Sequence, residues 1–323
     1  MKSRTFILGM ALALVLAIGI PPVQGGFYVI PSARGVGTPI TSVPYTISEP
    51  GLYYLKQNLT YTAMTGAAIT VEADDVTIDL MGFTITGPGA DTGTNHGIYM
   101  YRRSNVEIRN GTLRGFGYHG IGEAGAGAAR QHIITNVRAV GNGWDGIRLA
   151  GYGHLVQNCT ASENGAHSVG TAWGHGIGVG DGCSVLDCTA YYNTHSGIYV
   201  GIGGTVSRNT VYRNQYHGIE LGMGTTLTGN TARWNKSYGF YGKLGCTLTG
   251  NTATWNDASG FYVPSGSTVV GNTAYNNKQY GFHFGGGNCL VDQNTAYDND
   301  MSGGGYPNFS SCSPCTLGLN HAP

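Results

Sequence analysis

Between Ser196 and Asp300 the chain repeats one pattern five times at a constant interval of 21 residues, with units opening at Ser196, His217, Tyr238, Ser259 and Tyr280. Each unit starts with a Gly-Ile or Gly-Phe step, from Gly197-Ile198 to Gly281-Phe282. Each later carries an Asn followed by Thr (Asn209, Asn230, Asn251, Asn272, Asn294), and five residues on a second Asn (Asn214, Asn235, Asn256, Asn277, Asn299). A period of this size is that of a solenoid, whose units bury apolar surface only against their neighbours.

Within one unit, His217 to Ser237, Ile219 and Leu221 alternate with Gly218 and Glu220, which is strand periodicity. Gly222-Met223-Gly224 breaks the run, Thr226-Leu227-Thr228 resumes it, and Gly229-Asn230 is a turn pair tolerant of left-handed backbone. Thr231-Ala232-Arg233-Trp234 makes a third strand. Three strands and three turns leave no room for a helix, so each unit is expected to form one coil of a parallel β-helix, strand on equivalent strand. Asn side chains stacked at about 4.8 Å would hydrogen-bond along the axis, a structural role rather than a catalytic one.

These Gly-Ile openings (Gly176-Ile177 through Gly281-Phe282) and Asn-Thr-Ala turns (as in Asn251-Thr252-Ala253) resemble the right-handed parallel β-helix repeats of the pectin-lyase-like superfamily, over about Ala67 to Asp300. The resemblance implies an all-β, right-handed parallel β-helix of about ten coils with terminal caps, and an Asn ladder in the turn holding Gly229-Asn230. It does not fix an activity, because the superfamily includes lyases, hydrolases, epimerases and non-catalytic surface proteins. Gly174-His175-Gly176 resembles part of a polygalacturonase motif, but the preceding coil offers only Asp145 where those enzymes have paired Asp. The clustered carboxylates of calcium-dependent pectate lyases are missing, since Glu123 and Glu220 lie far apart. Tyr238-Gly239-Phe240-Tyr241 lacks the Asp and His of the alginate-epimerase signature.

Lys2 and Arg4, the apolar run Phe6 to Ile20 and the small residue Gly25 read as a secretory signal over residues 1–25. Residues 26–66 are expected to form an N-terminal cap, 67–300 the β-helix and 301–323 a C-terminal cap. Loss of the signal leaves 15 basic residues (17 less Lys2 and Arg4) against 17 acidic, which argues against nucleic acid as a partner. No later stretch approaches membrane-spanning length. The chain is expected to be a secreted monomer, with no cofactor and no metal.

All seven cysteines lie in the exported part, where thiols meet an oxidising compartment. Cys159 and Cys188 share a column in adjacent coils, close enough for a disulfide. Cys183, Cys246 and Cys289 share another column but never in adjacent coils, and read as small core residues. Cys312 and Cys315 could close a tight loop.

On each first strand the residue after the inward Ile or Phe faces outward, a column reading Tyr99, Gly122, Arg148, Gly178, Tyr199, Glu220, Tyr241, Tyr262, His283. Aromatic rings at coil spacing suit a sugar chain, and they also suit plain strand propensity. The coil-opening residues are often titratable: His96, His119, Asp145, His175 and His217. An imidazole can act as base or acid near neutral pH, and Arg148 can hold a carboxylate. Before His175 the coils are stretched, with extra residues at 87–95, 122–131 and 165–173, and long excursions from a rigid scaffold are where sites collect. The candidate catalytic set is Asp145, Arg148, His167 and His175, and the candidate carbohydrate-binding set is Tyr99, Trp173, Tyr199, Glu220, Tyr241, Tyr262 and His283. The function expected is binding of a polysaccharide, with metal-independent lyase or epimerase chemistry. The alternative is a non-catalytic surface or matrix protein, and a β-helix serving metal-cofactor assembly fits the fold but shows no ligand cluster in the sequence.

Overall fold

A computed structural model describes residues 37–322, apart from 126, 128 and 167–173. All regular structure among these residues is strand. Eleven parallel strands, from Tyr45–Ile47 to Phe282–Phe284, stack as one sheet formed by the first strand of every coil. The second and third strands of the coils merge into a 22-stranded parallel sheet, bent at each corner. In the early coils they are continuous, as in Val106–Arg114 and Ile133–Val140, with Asn110 and Asn136 at positive φ making the bend.

The stack runs past the regular repeats in both directions. Thr38–Ile40 pairs with Gly51–Leu55, and Tyr45–Ile47 with Thr65–Val71. At the other end Thr316–Leu317 pairs with Leu290 and Val291 and starts a further turn. The coil count therefore exceeds the expected ten, because sequence that lacks the 21-residue signature still pairs in register.

Inward side chains stack like on like. Ile98, Ile121, Ile147, Ile177, Ile198 and Ile219 are wholly buried and hand over to Phe240, Phe261, Phe282 and Phe309, whose rings are 4.9, 4.6 and 4.9 Å apart. Burial of this kind is worth about 1.5–3 kcal/mol per large side chain. Both Asn columns form ladders. Asn209 N and Nδ2 both donate to Asn230 Oδ1, at 2.8 and 2.9 Å, and this pattern repeats to Asn320. The second ladder runs from Asn142 to Asn308. Each rung satisfies a buried main-chain N–H that the corner takes out of the strand pairing.

The cysteine columns fall where the register put them. Cys159 and Cys188 continue the first Asn ladder, with Cys159 N donating to Cys188 Sγ at 3.4 Å. Both are nonetheless free thiols, so the disulfide expected there is not formed. The Cys188 sulfur instead takes the acceptor's place of a missing Asn oxygen. Cys183, Cys246 and Cys289 are buried and free, and Cys312 is bonded to Cys315.

Candidate functional site

The outward column is continuous in the first-strand sheet. Tyr99 pairs with Gly122, Gly122 with Arg148, Arg148 with Gly178, Gly178 with Tyr199, and the line continues through Glu220, Tyr241 and Tyr262 to His283. His167 and Trp173 lie outside the described residues.

Arg148 is flanked above and below by glycine, and this shapes the site. A Cβ on Gly178 would come within 3.1 Å of an Arg148 guanidinium nitrogen, and one on Gly122 within 2.7 Å of His96 Nδ1. The two bare positions let side chains from the coil openings fold over the strand.

Around Arg148 the titratable groups converge. Asp145 is buried, with Oδ2 3.9 Å from Arg148 and 4.0 Å from His119 Nδ1. Its Oδ1 accepts the His175 N–H at 2.8 Å, and its own N–H is donated to His119 Nδ1 at 3.2 Å. Oδ2 has no hydrogen-bond partner. Desolvation therefore outweighs the nearby guanidinium and the His175 N–H, and pushes the Asp145 carboxyl up to about 6. Burial, with help from His96 and Arg148, holds the His119 imidazole well below its usual range. His175 is held well below its own by burial, then by His195 and Arg148. His96 is pushed down to about 4 by burial. At neutral pH these rings are uncharged.

Aromatic rings continue the site in both directions along the axis. On one side, Tyr118 stacks on Trp144 at 4.3 Å, and His96 contacts Tyr99, Tyr118 and His119 at 4.9, 5.3 and 5.4 Å. On the other, His175 meets His195 (Nδ1 to Nδ1, 3.2 Å) and lies along Tyr199, with ring centres 5.4 Å apart. Beyond these, Tyr216, His217, Tyr241, Tyr238, Tyr262, His283 and Tyr280 form an unbroken chain of ring contacts. Glu220 sits within this run and accepts the Ser196 hydroxyl at 3.2 Å.

The structure thus brings Asp145, Arg148 and His175 together, and sets Tyr199, Glu220, Tyr241, Tyr262 and His283 in one line with Tyr99 beyond the polar centre. His175 itself is buried, 1% exposed, and the imidazole of that pair that reaches the surface is His195. His195, Tyr118, Trp144 and Tyr216 were missing from the candidate sets. They occupy the position just before each coil opening, and reading that column would have found them.

One polar cluster went unforeseen. Glu123 faces the interior, paired with Met100, in a slot that other coils fill with Leu149 or Val179. Its carboxylate meets His132 Nε2 at 2.7 Å and His154 Nε2 at 3.4 Å, and accepts the Ala150 N–H at 3.2 Å. The spacing would suit a metal, but the imidazoles are turned the wrong way. His132 Nδ1 accepts the Val106 N–H and His154 Nδ1 the His132 N–H, so each ring carries its hydrogen on Nε2 and presents an N–H toward Glu123. The cluster is a buried carboxyl group held by two imidazoles and a main-chain N–H. Cys289, Cys312 and Cys315 also lie close together, but two of these sulfurs are already bonded to each other.

Residues 67–236 match the right handed beta helix region family, and residues 172–307 match the family described as periplasmic copper-binding protein (NosD). The Glu123 cluster lies outside the second match. Among solved structures the chain is similar to the A-module of the Azotobacter vinelandii mannuronan C-5 epimerase AlgE6 (16% identity, 85% of this chain and 91% of that one, TM-score 0.60). It is also similar to the periplasmic alginate epimerase AlgG (13%, 88% and 77%, TM-score 0.64) and the Dettilon tailspike protein (17%, 88% and 61%, TM-score 0.55). At these identities the likeness is one of fold. No curated protein matches the sequence. Among the described residues no helix is long and apolar enough to cross a membrane.

Proposed function

The chain belongs to the right-handed β-helix family, and from that premise we propose that it is an exported protein binding an acidic polysaccharide along its first-strand face. The observation that carries this reading is a polar centre, Asp145 with Arg148, His119 and His175, bounded along the axis by aromatic rings on both sides. Rings offer flat apolar surface with polar rims, as sugar rings require. A guanidinium placed between them matches a uronate carboxylate. Alginate epimerases and a tailspike share the fold, which supports a polysaccharide as ligand without fixing the sugar.

The chemistry that suits this centre is metal-independent proton abstraction beside a carboxylate, as a lyase or an epimerase carries out. Arg148 would hold the sugar carboxylate and stabilise the charge that develops when its α-proton leaves. The uncharged imidazole of His195, backed by His175, is in the protonation state that a base needs. Asp145, protonated below about pH 6, would leave the centre with the positive charge of Arg148 in slightly acidic medium.

A glycan array followed by product analysis on uronic-acid polymers tests this. Tyr199→Ala with Tyr241→Ala should abolish binding, whereas Arg148→Ala should keep part of the binding and lose turnover. Binding to no glycan ends the proposal. Binding with no turnover on any polyuronate favours the second reading, a non-catalytic surface protein. That reading draws on the burial of Asp145 and His175, which suits turn-fixing hydrogen bonds.

A further inference from the structure

The corner that ends the third strand of each coil holds a residue at positive φ, and in four successive coils that residue is Tyr192, Arg213, Trp234 and Trp255, with φ between 54° and 57°. Left-handed backbone disfavours bulky side chains and favours Gly, Asn and Asp. The preceding corner obeys that preference in most coils, with Asn110, Asn136, Asn158, Asp187, Gly229, Gly250 and Gly271, although Arg208 and Gln293 also stand there at positive φ. Outside these four coils the third-strand corner holds Gly115, Gly141, Glu163, Asn276 and Asp298. Within this series Tyr192, Trp234 and Trp255 place three aromatic rings at the same corner, each more than 40% exposed.

Their side chains make one surface. Arg213 lies over the rings of Tyr192 and Trp234, at 5.6 and 5.3 Å. Arg233, one residue before the corner, lies over Tyr212 and Trp234, at 5.3 and 4.7 Å. A recess of about 320 Å³ opens between Tyr192, Arg213 and Trp234. Among the described residues neither guanidinium has a carboxylate within ion-pair distance, in contrast to Arg109 and Arg208, and the buried Arg233 Nε has no hydrogen-bond partner.

We propose that this corner is a second glycan-binding site, separate from the first-strand face, which takes an anionic sugar chain with its carboxylates on Arg213 and Arg233 and its rings against Trp234 and Trp255. Two cations without acidic partners select a negatively charged ligand, and exposed aromatic rings select sugar over a simple ion. Nucleic acid is disfavoured, because a phosphate polymer is held by many basic residues and this chain has no basic excess. The site stands whether or not the first-strand face binds.

The test uses the full exported chain carrying Tyr199→Ala and Tyr241→Ala, so that the first-strand face is silent. Oligogalacturonate is titrated by calorimetry, against a neutral cello-oligosaccharide and a short DNA duplex. The expected result is oligogalacturonate binding that weakens with salt and falls at least tenfold in Trp234→Asn and in Arg213→Asn. Since Asn suits the left-handed corner, both variants should keep or raise the melting temperature, so that lost binding cannot be ascribed to unfolding. Absence of binding, unchanged affinity in both variants, equal binding of the neutral sugar, or tighter binding of DNA would each overturn the proposal.

Discussion

Asp145 carries a titratable group into the interior at the expense of the fold. Its carboxyl is pushed up from the ordinary 3.8 to about 6, chiefly by burial. A rise of that size corresponds to about 3 kcal/mol. Because the folded-state value is the higher one, the folded state holds the proton more tightly, and stability is lost as pH rises from about 4 through about 6. Asp145→Asn keeps an oxygen for the His175 N–H and removes the charge. It should be more stable than the parent by about 2–3 kcal/mol at pH 7.5 and equal to it at pH 4, as read by denaturant melts at the two pH values. A gap that does not change with pH would mean that the carboxyl is not the cause. The histidines act in the opposite sense. His96, pushed down to about 4, and His217, pushed down to about 3, lower stability as pH falls below about 6.5, where the unfolded imidazoles begin to take up protons.

At the scale of the element, the Asn ladders make each corner depend on the next. Asn235 Oδ1 accepts both N–H and Nδ2–H of Asn214, at 3.1 and 3.0 Å, in a fully buried setting. Asn235→Ala strands two buried donors at about 1–3 kcal/mol each, so an equilibrium melt should show a loss of about 2–5 kcal/mol. The rung at Asn299, half-exposed at the end of the stack, should lose less on the same change. The sulfur end of the other ladder gives a prediction of opposite sign. Cys188 Sγ accepts the Cys159 N–H at 3.4 Å, where Asn209 Oδ1 accepts the Cys188 N–H at 2.8 Å. Cys188→Asn should add a full rung and raise the melting temperature by a few degrees, whereas a lower value would show that the slot there is too small for an amide.

For the whole molecule, stability should be a sum over coils and their contacts, because each coil touches only its neighbours. Removing residues 217–237, one complete unit, joins coils that are already in register and should leave a folded protein with a smaller denaturant slope. Removing 20 or 22 residues from the same place shifts the strand register by one and turns inward side chains outward. Circular dichroism and the unfolding slope distinguish these outcomes, and a folded 20-residue deletion would contradict the register argument. The same linearity lets one rod present two different columns, one on the first-strand face and one at the third-strand corner, without either disturbing the other.

Much of this was legible in the repeat. A 21-residue period with Gly-Ile openings and two Asn columns leaves one economical way to bury apolar surface, and it converts sequence spacing into height. The outward line from Tyr99 to His283 and the separation of Cys183, Cys246 and Cys289 could therefore be read off as columns. What spacing does not contain is which way a side chain leans and what it meets. The coils ahead of Ala67 and the turn begun at Thr316 lack the repeat signature, because backbone pairing asks for register and not for particular residues. Glu123 turned inward to two imidazoles, Cys159 and Cys188 stayed thiols, and His195 took the exposed place beside a buried His175. Each of these was settled by contacts between residues 9 to 31 positions apart in sequence, through distances and hydrogen-bond directions that exist only once the coils are stacked.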